Sequence, residues 1–386
     1  MRHNLLCYVL RIILRRIFTG LGWQCKADPD REGANMKYLR LGHSGLMVSE
    51  FCLGAMTFGE EMGIGSPEAE CRAVFEAFIS AGGNFIDTAN IYNRGTSEKI
   101  LAGLIAAERD YLVLASKYTL NTRPDDPNAG GNHRKNLVQA LNASLERLQT
   151  DYLDLFWIHG WDASTPLADV MRALDDQVRL GKVLHIGISN APAWVIAAAN
   201  TLATERNMTP FTAMQMHYNL AERGIEPEFF ELAAAQNMAL TPWSPLAGGL
   251  LTGKFNAAAD PAARADARLS SGPMGARTLT DEKRAVAEGL ARQAEKIGCS
   301  SAQLALAWLR QRSQVAVVPI IGARHLEQLQ DNLAAAEVTL NAAQLAELDA
   351  LSPPPARYPA NLLSSEFFHR MMFGEPAAAG DRVTTE

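Results

Sequence analysis

Short apolar runs alternate with amphipathic stretches along most of the chain. A hairpin pattern comes first, with residues 38–41 and 46–48 flanking the turn Gly42-His-Ser-Gly45. Apolar runs then recur at 49–54, 84–88, 111–116, 152–158, 181–188, 211–216, 238–242 and 315–320. Between them the apolar positions fall at helical spacing, over 67–80, 97–107, up to Leu148, 166–180, after Pro192, from Pro227, 281–297, 301–311 and 325–335. The runs are continuously apolar rather than alternating, as strands covered on both faces require. This alternation predicts an α/β chain closed as a (β/α)8 TIM barrel, with an N-terminal β-hairpin and long βα loops at the carboxyl face over 118–132 and 243–279. A doubly wound sheet would carry a glycine-rich phosphate loop after its first strand, and Leu53-Gly-Ala-Met-Thr-Phe-Gly59 is not that pattern.

The 386 residues are divided by this pattern into an extension over 1–35, a barrel over 36–350 and a tail over 351–386 with an apolar island at 367–373. The extension carries an apolar run from Leu5 to Phe18 broken by Arg11, Arg15 and Arg16, too short and too charged for a membrane span. Its arginines follow the apolar core instead of preceding it, which is the wrong order for a secretory signal. Met36 opens a clean segment, so the extension is expected to be poorly ordered and outside the working barrel. Hydrophobic residues make up 48% and charged residues 20%, a globular composition. The net charge of −6 argues against nucleic acid as a partner. Cys7, Cys25, Cys52, Cys71 and Cys299 form no paired or metal-type spacing, which points to free thiols in a reducing, cytoplasmic setting and to no metal site. A small molecule is the expected partner.

Barrel chemistry sits where strands end. Asp87, Lys117 and His159 stand at three successive strand ends, with Tyr92 on the loop after the first. A free phenol, with a pKa of about 10, is a weak acid at neutrality. An ammonium from Lys117 would stabilise the phenolate, Asp87 would hold that ammonium, and His159 would orient a carbonyl oxygen. A reacting carbonyl then needs a nucleophile. No Ser or Cys nucleophile signature and no zinc-type motif is present, which leaves a bound hydride donor.

The string Gly83-Asn-Phe-Ile-Asp87-Thr-Ala-x-x-Tyr92-x-x-Gly-x-Ser-Glu98 resembles the signature of the aldo-keto reductase superfamily. Collinear matches follow at Leu114-Ala-Ser-Lys117, Tyr152-Leu-Asp-Leu-x-x-x-His159, Gly181-Lys-Val-x-x-Ile-Gly-Ile-Ser189-Asn190, Gln215, Trp243-Ser-Pro-Leu-Ala-Gly-Gly-Leu-Leu-Thr-Gly-Lys254 and Ile321-Gly-Ala-Arg324-x-x-x-Gln328-x-x-Asp331-Asn332. They cover residues 36–350. The resemblance implies an NADP-dependent oxidoreductase acting on CH–OH or carbonyl groups, with Asp87, Tyr92, Lys117 and His159 as a catalytic tetrad. It implies Ser189, Asn190 and Gln215 at the nicotinamide carboxamide and Trp243 stacked on the nicotinamide ring. Ser244, Leu246, Gly248 and Lys254 would line the pyrophosphate, and Gly322, Arg324, Gln328, Asp331 and Asn332 the adenosine end of NADPH/NADP+. Arg324 is the first candidate for a 2′-phosphate contact, and Arg268 or Arg264 the second.

The segment from His159-Gly-Trp-Asp162 to Gly187-Ile-Ser-Asn-Ala-Pro-Ala-Trp194 is similar to the aryl-alcohol dehydrogenase branch and its bacterial relatives. Trp243-Ser-Pro is also similar to the potassium-channel β-subunits, which leaves a slow, redox-sensing NADPH-binding protein as the alternative. Met56, Phe58, Tyr118 and Trp161, just past strand ends, are the expected substrate-pocket walls, suited to aromatic or bulky apolar carbonyls.

Overall fold

A computed structural model describes residues 36–256, 278–312, 315–355 and 358–374. The expectations for residues 1–35, for Arg264 and Arg268 and for the end of the tail fall outside that set. The hairpin is present: β1 (Tyr38–Arg40) pairs antiparallel with β2 (Met47–Ser49). Its turn includes Gly42 with φ +57°, where a Cβ would lie 2.3 Å from the Thr212 carbonyl oxygen, so the hairpin seats directly on the barrel floor.

Eight parallel strands follow: β3 (Cys52–Gly54), β4 (Phe85–Asp87), β5 (Val113–Tyr118), β6 (Leu153–Ile158), β7 (Val183–Ser189), β8 (Phe211–Gln215), β9 (Ala239–Leu240) and β10 (Ile320–Ile321). They are hydrogen-bonded in the order β10-β3-β4-β5-β6-β7-β8-β9. The two ends of that order meet. Leu240 N donates to Ala316 O (2.8 Å), Val318 N to Leu240 O (2.9 Å) and Ile320 N to Pro242 O (3.0 Å). These bonds close the sheet into the (β/α)8 barrel. The regular part of β10 is short and begins later than the apolar run 315–320, because Pro319 has no N–H to give the ladder.

Alternation along each strand sorts the core into two layers. Phe85, Val113, Ala115, Leu155, Trp157 and Ala213 point into the barrel with Leu41 and Val48 of the hairpin region. Ile86, Leu114, Phe156, Ile158 and Met214 point outward against the helices. Continuing the inward series by two residues reaches Asp87, Lys117, His159 and Gln215. The same phase that fills the barrel with apolar side chains below therefore brings polar ones into its mouth. Lys117 pairs with Trp157 inside β5, so it belongs to the strand and not to the loop beyond it. That strand starts at Val113 because Tyr111 and Leu112 are turned back by bonds to Glu108 O.

Beyond the barrel, Ala342–Leu351 forms a helix with an Asn341 capping box that the apolar pattern did not signal. The tail island is a helix, Glu366–Phe373, whose Phe367 and Phe373 are each 69% exposed, so it stays on the surface. Cys52 and Cys71 are buried free thiols. Among the described residues no helix is long and apolar enough to cross a membrane.

Gly187 of β7 faces Trp157, and a Cβ there would lie 2.3 Å from the indole ring and 3.1 Å from Ala213 O. Gly187→Ala should cost about 1–3 kcal/mol of stability by overpacking, read as a lower denaturant midpoint. An unchanged midpoint would show that Trp157 has room to move.

Candidate active site

The inward series converges on one cluster. Lys117 is fully buried, and its ammonium bonds the Asp87 carboxylate, the Thr88 carbonyl (2.8 Å) and the Tyr92 hydroxyl (3.1 Å). Gln215 Nε2 donates to the other Asp87 oxygen at 3.0 Å. Burial acts to lower the pKa of Lys117, but the Asp87 carboxylate and then the Tyr92 phenol outweigh it, so the group is held above its ordinary value and charged. The imidazole of His159 stands edge-on to the Tyr92 ring, with centroids 5.8 Å apart. Burial, helped by the Lys117 charge, lowers its pKa to about 3, so the ring is neutral at physiological pH. Its Nδ1 is buried without a partner. An N–H on Nδ1 would be stranded, so the ring proton is assigned to Nε2, which can donate to an oxygen.

Tyr92 is held by the turn that carries it. Asn93, Arg94 and Gly95 all have positive φ (45°, 55° and 91°), a reversal that starts the helix Thr96–Ile105. That helix is bolted down through the outer layer. Ser97 Oγ donates to Ala55 O (2.6 Å), while Glu98, fully buried, accepts from Ser116 Oγ and Arg147 Nε (2.6 Å each). Ser97 thus bolts the Tyr92 turn to the segment after β3, and Glu98 bolts it to β5.

A cleft of about 630 Å³ opens from this cluster and runs to the loop after β10. Asp87, Tyr92, His159, Ser189, Asn190, Gln215, Trp243, Ser244, Leu246, Gly248, Lys254, Gly322, Arg324, Gln328, Asp331, Asn332 and Met56 line it. Asn190, with φ +49°, donates to His159 O (2.9 Å) and accepts from the Trp243 indole (3.1 Å). Trp243 is stacked on one face by His217 at 4.2 Å and 13°. Ser244, Ala247, Gly248 and Gly249 have positive φ, and Lys254 follows. Across the cleft Gln328 accepts from Arg324 N (3.0 Å), and Asp331 accepts from Ser300 and Gln303 at the start of the helix Ser301–Arg310. These are the loops after the seventh and eighth barrel strands beside a helix start, a place suited to phosphate. A Cβ on Gly249 would meet nothing within 4 Å, and one on Gly322 only Gly54 O at 3.8 Å, so both glycines keep cleft space open. With Lys254 and Arg324 in the lining, the residues fit a long, anionic dinucleotide.

The pocket-wall expectations need correction. Phe58 is 1% exposed in the outer core, and Tyr118 is fully buried, stacked on Phe156 at 5.2 Å. Burial, with Asp162 adding to it, pushes the Tyr118 phenol far above its usual range. Trp161 packs against the same core. None of the three lines the cleft; they pack beneath the loops. The apolar lining beside Tyr92 comes from Met62, Ile64, Ile91 and Leu120 together with Met56. Ile91 and Leu120 lie one and three residues from tetrad members, the signal that sequence reasoning passed over. On the other limb, Gly249, Thr252 and Ala302 were likewise missed.

Comparison with known proteins fits this site. Residues 50–353 match the model of the Aldo/keto reductase family. The chain is 37% identical over 326 residues to a norsolorinic acid reductase of Emericella nidulans, covering 82% of this chain and 81% of the relative. It is 33% identical over 354 residues to an NADP(+) aryl-alcohol dehydrogenase of Phanerodontia chrysosporium, covering 86% and 89%.

The neutral state of His159 is measurable. Its imidazole NMR signals should not titrate between pH 8 and about 4, whereas an ordinary histidine titrates near 6.5. The unfolded chain then binds more protons than the folded one below that value, so this residue makes stability fall as pH drops from 6.5 toward 3. A titration midpoint near 6.5 would contradict the burial argument.

Proposed function

Because the chain belongs to the aldo/keto reductase family and is an oxidoreductase similar to its aryl-alcohol dehydrogenases, we propose that it interconverts carbonyls and alcohols with NADPH/NADP+, using Tyr92 as the proton donor. The observation that carries this reading is the Lys117 ammonium, bonded both to buried Asp87 and to the Tyr92 hydroxyl on the wall of the cleft.

When bound, the nicotinamide supplies or accepts the hydride. The chain does the rest. Neutral His159 donates from Nε2 to the carbonyl oxygen and fixes its position. Tyr92 hands its phenolic proton to that oxygen as the alcohol forms. Lys117 stabilises the phenolate left behind, and Asp87, gripped by Gln215, keeps the ammonium in place. Trp243, with His217 at its back and Asn190 on its N–H, offers a fixed aromatic face for the nicotinamide. Ser189, Asn190 and Gln215 serve its carboxamide. Ser244, Leu246, Gly248 and Lys254 would hold the pyrophosphate, and Gly322, Arg324, Gln328, Asp331 and Asn332 the adenosine end, where the Arg324 guanidinium would match a 2′-phosphate. The NADP(+) in the name of the Phanerodontia chrysosporium relative supports the cofactor preference.

The substrate side is apolar. Met56, Met62, Ile64, Ile91 and Leu120 line the cleft together with Asp87, Tyr92 and His159. An uncharged, aromatic or bulky apolar aldehyde or ketone matches that lining.

Tyr92→Phe should bind NADPH within about threefold of the unaltered protein, and its kcat on aromatic aldehydes should fall by at least about 100-fold. Near-normal turnover would refute the acid role. Tight NADPH binding by the unaltered protein without oxidation by any of a panel of aldehydes and ketones would favour the redox-sensing alternative. Arg324→Leu should raise the KM for NADPH about tenfold and leave that for NADH nearly unchanged; equal effects on both would remove Arg324 from the 2′-phosphate.

A further inference from the structure

The residue after Tyr92 ties the substrate wall to the catalytic turn. Asn93 is fully buried and adopts φ +45°, a backbone hand that asparagine tolerates better than most side chains. Its side-chain amide is fully used. Oδ1 accepts from Met62 N (2.9 Å), and Nδ2 donates to Met56 O (3.0 Å) and Phe58 O (2.9 Å). Its own N–H meets Met62 Sδ at 3.3 Å. All these partners belong to the loop after β3, whose Met56, Met62 and Ile64 line the cleft beside Tyr92. That loop closes on itself through Gly59 N to Ser66 O (3.1 Å) and Ser66 N to Thr57 O (2.8 Å). Its tip projects outward, with Met62 46% exposed, and is held by Asn93 together with the bond from Thr96 Oγ1 to Glu61.

We propose that Asn93 is a positioning residue that sets substrate size selectivity: its amide holds the Met56–Met62 wall at a fixed distance from the Tyr92 hydroxyl. Asn93 touches no reacting atom and acts through the wall. The inference rests on the reading of the cleft as a carbonyl-reducing site, but the bonds that carry it do not. A wall fixed by buried hydrogen bonds discriminates substrates by shape, whereas a loosened wall accommodates large and small ones alike.

Two variants test it. Asn93→Gly keeps the left-handed backbone without strain and deletes the whole amide. Asn93→Asp keeps the shape and the acceptor for Met62 N but turns an oxygen toward the Met56 and Phe58 carbonyls, and it serves if the glycine variant does not fold. Each is assayed with NADPH on a small aldehyde (propanal) and a bulky one (2-naphthaldehyde), beside hydrogen exchange over residues 56–64 and an NADPH titration. The expected result is a shift of about tenfold in the ratio of kcat/KM between the two aldehydes. The shift should be carried by KM, with an NADPH affinity within about twofold of the unaltered protein; exchange should be faster at Met62 in Asn93→Gly and, in Asn93→Asp, which keeps that acceptor, elsewhere over residues 56–64. Equal losses on both aldehydes, or an unchanged ratio, would overturn the proposal. If the unaltered protein reduces neither aldehyde, the functional reading fails by itself. Hydrogen exchange then still decides whether Asn93 fixes the wall: faster exchange over residues 56–64 supports it, and unchanged exchange throughout that segment overturns it.

Discussion

A buried ammonium against a buried carboxylate is the constraint on which the site depends. Lys117 and Asp87 are both nearly sealed from water. Neither could be there without the other, since removing one partner of such a pair costs about 3–5 kcal/mol. Their remaining bonding capacity is also met, by the Thr88 carbonyl and the Tyr92 hydroxyl for the lysine and by the Gln215 amide for the carboxylate. The pair requires β4 and β5 to be neighbours in a defined register, with Asp87 opposite Ala115 so that Lys117 sits one inward step higher. It also requires β8 to deliver Gln215 from the far side of the barrel. A site with these demands cannot be built on loops alone; it needs a closed barrel whose alternate positions stay in phase.

What was legible in the sequence was the strand ends; the phase itself was hidden in runs that are apolar on both faces. The same period of two that marks Phe85, Val113, Ala115, Leu155 and Trp157 as interior residues leads by one more step to Asp87, Lys117 and His159. A polar group that breaks an apolar run at its carboxyl end is visible without coordinates, and so is the alternation of strands and helices. The glycines of the other limb were reached differently, through the family resemblance alone. Gly248 has a left-handed backbone, and a Cβ on Gly322 would meet only Gly54 O at 3.8 Å, but neither feature could be read from the residues themselves.

The apolar wall of the cleft was legible only at Met56, and the reason is geometric. Phe58, Tyr118 and Trp161 all follow strand ends in sequence, but how far a loop side chain turns inward depends on what the next loop does. Tyr118 is still within β5 and faces outward, opposite in phase to Lys117, so its ring joins the outer core on Phe156. Phe58 goes to the same layer because the loop folds back at Gly59 and Ser66. The positions that do line the cleft, Met62 and Leu120, lie further out on these loops, where no period governs direction. Where strand phase ends, only the hydrogen bonds of each loop decide, and those are between residues far apart in sequence.

The loop after β3 shows how those bonds couple the two ends of the cleft. On one side it is fastened to the Tyr92 turn by Asn93 and by the bond from Thr96 Oγ1 to Glu61 (2.5 Å). On the other it is fastened to the loop after β10, where Thr57 Oγ1 donates to Ala323 O (2.9 Å) and Ser66 Oγ to Arg324 O (2.8 Å). Because the loop is also closed on itself, it has little slack. A displacement of Ala323 or Arg324 must either break one of these bonds or move the Met56–Met62 wall. The charged limb and the apolar limb of the cleft therefore share one mechanical element, and the residue that joins this element to the proposed proton donor is the donor's own neighbour in sequence. The signature string thus holds more than the acid and its support: Asp87 and Tyr92 face the cleft, Ser97 and Glu98 hold the turn to the barrel, and Asn93 between them holds the wall.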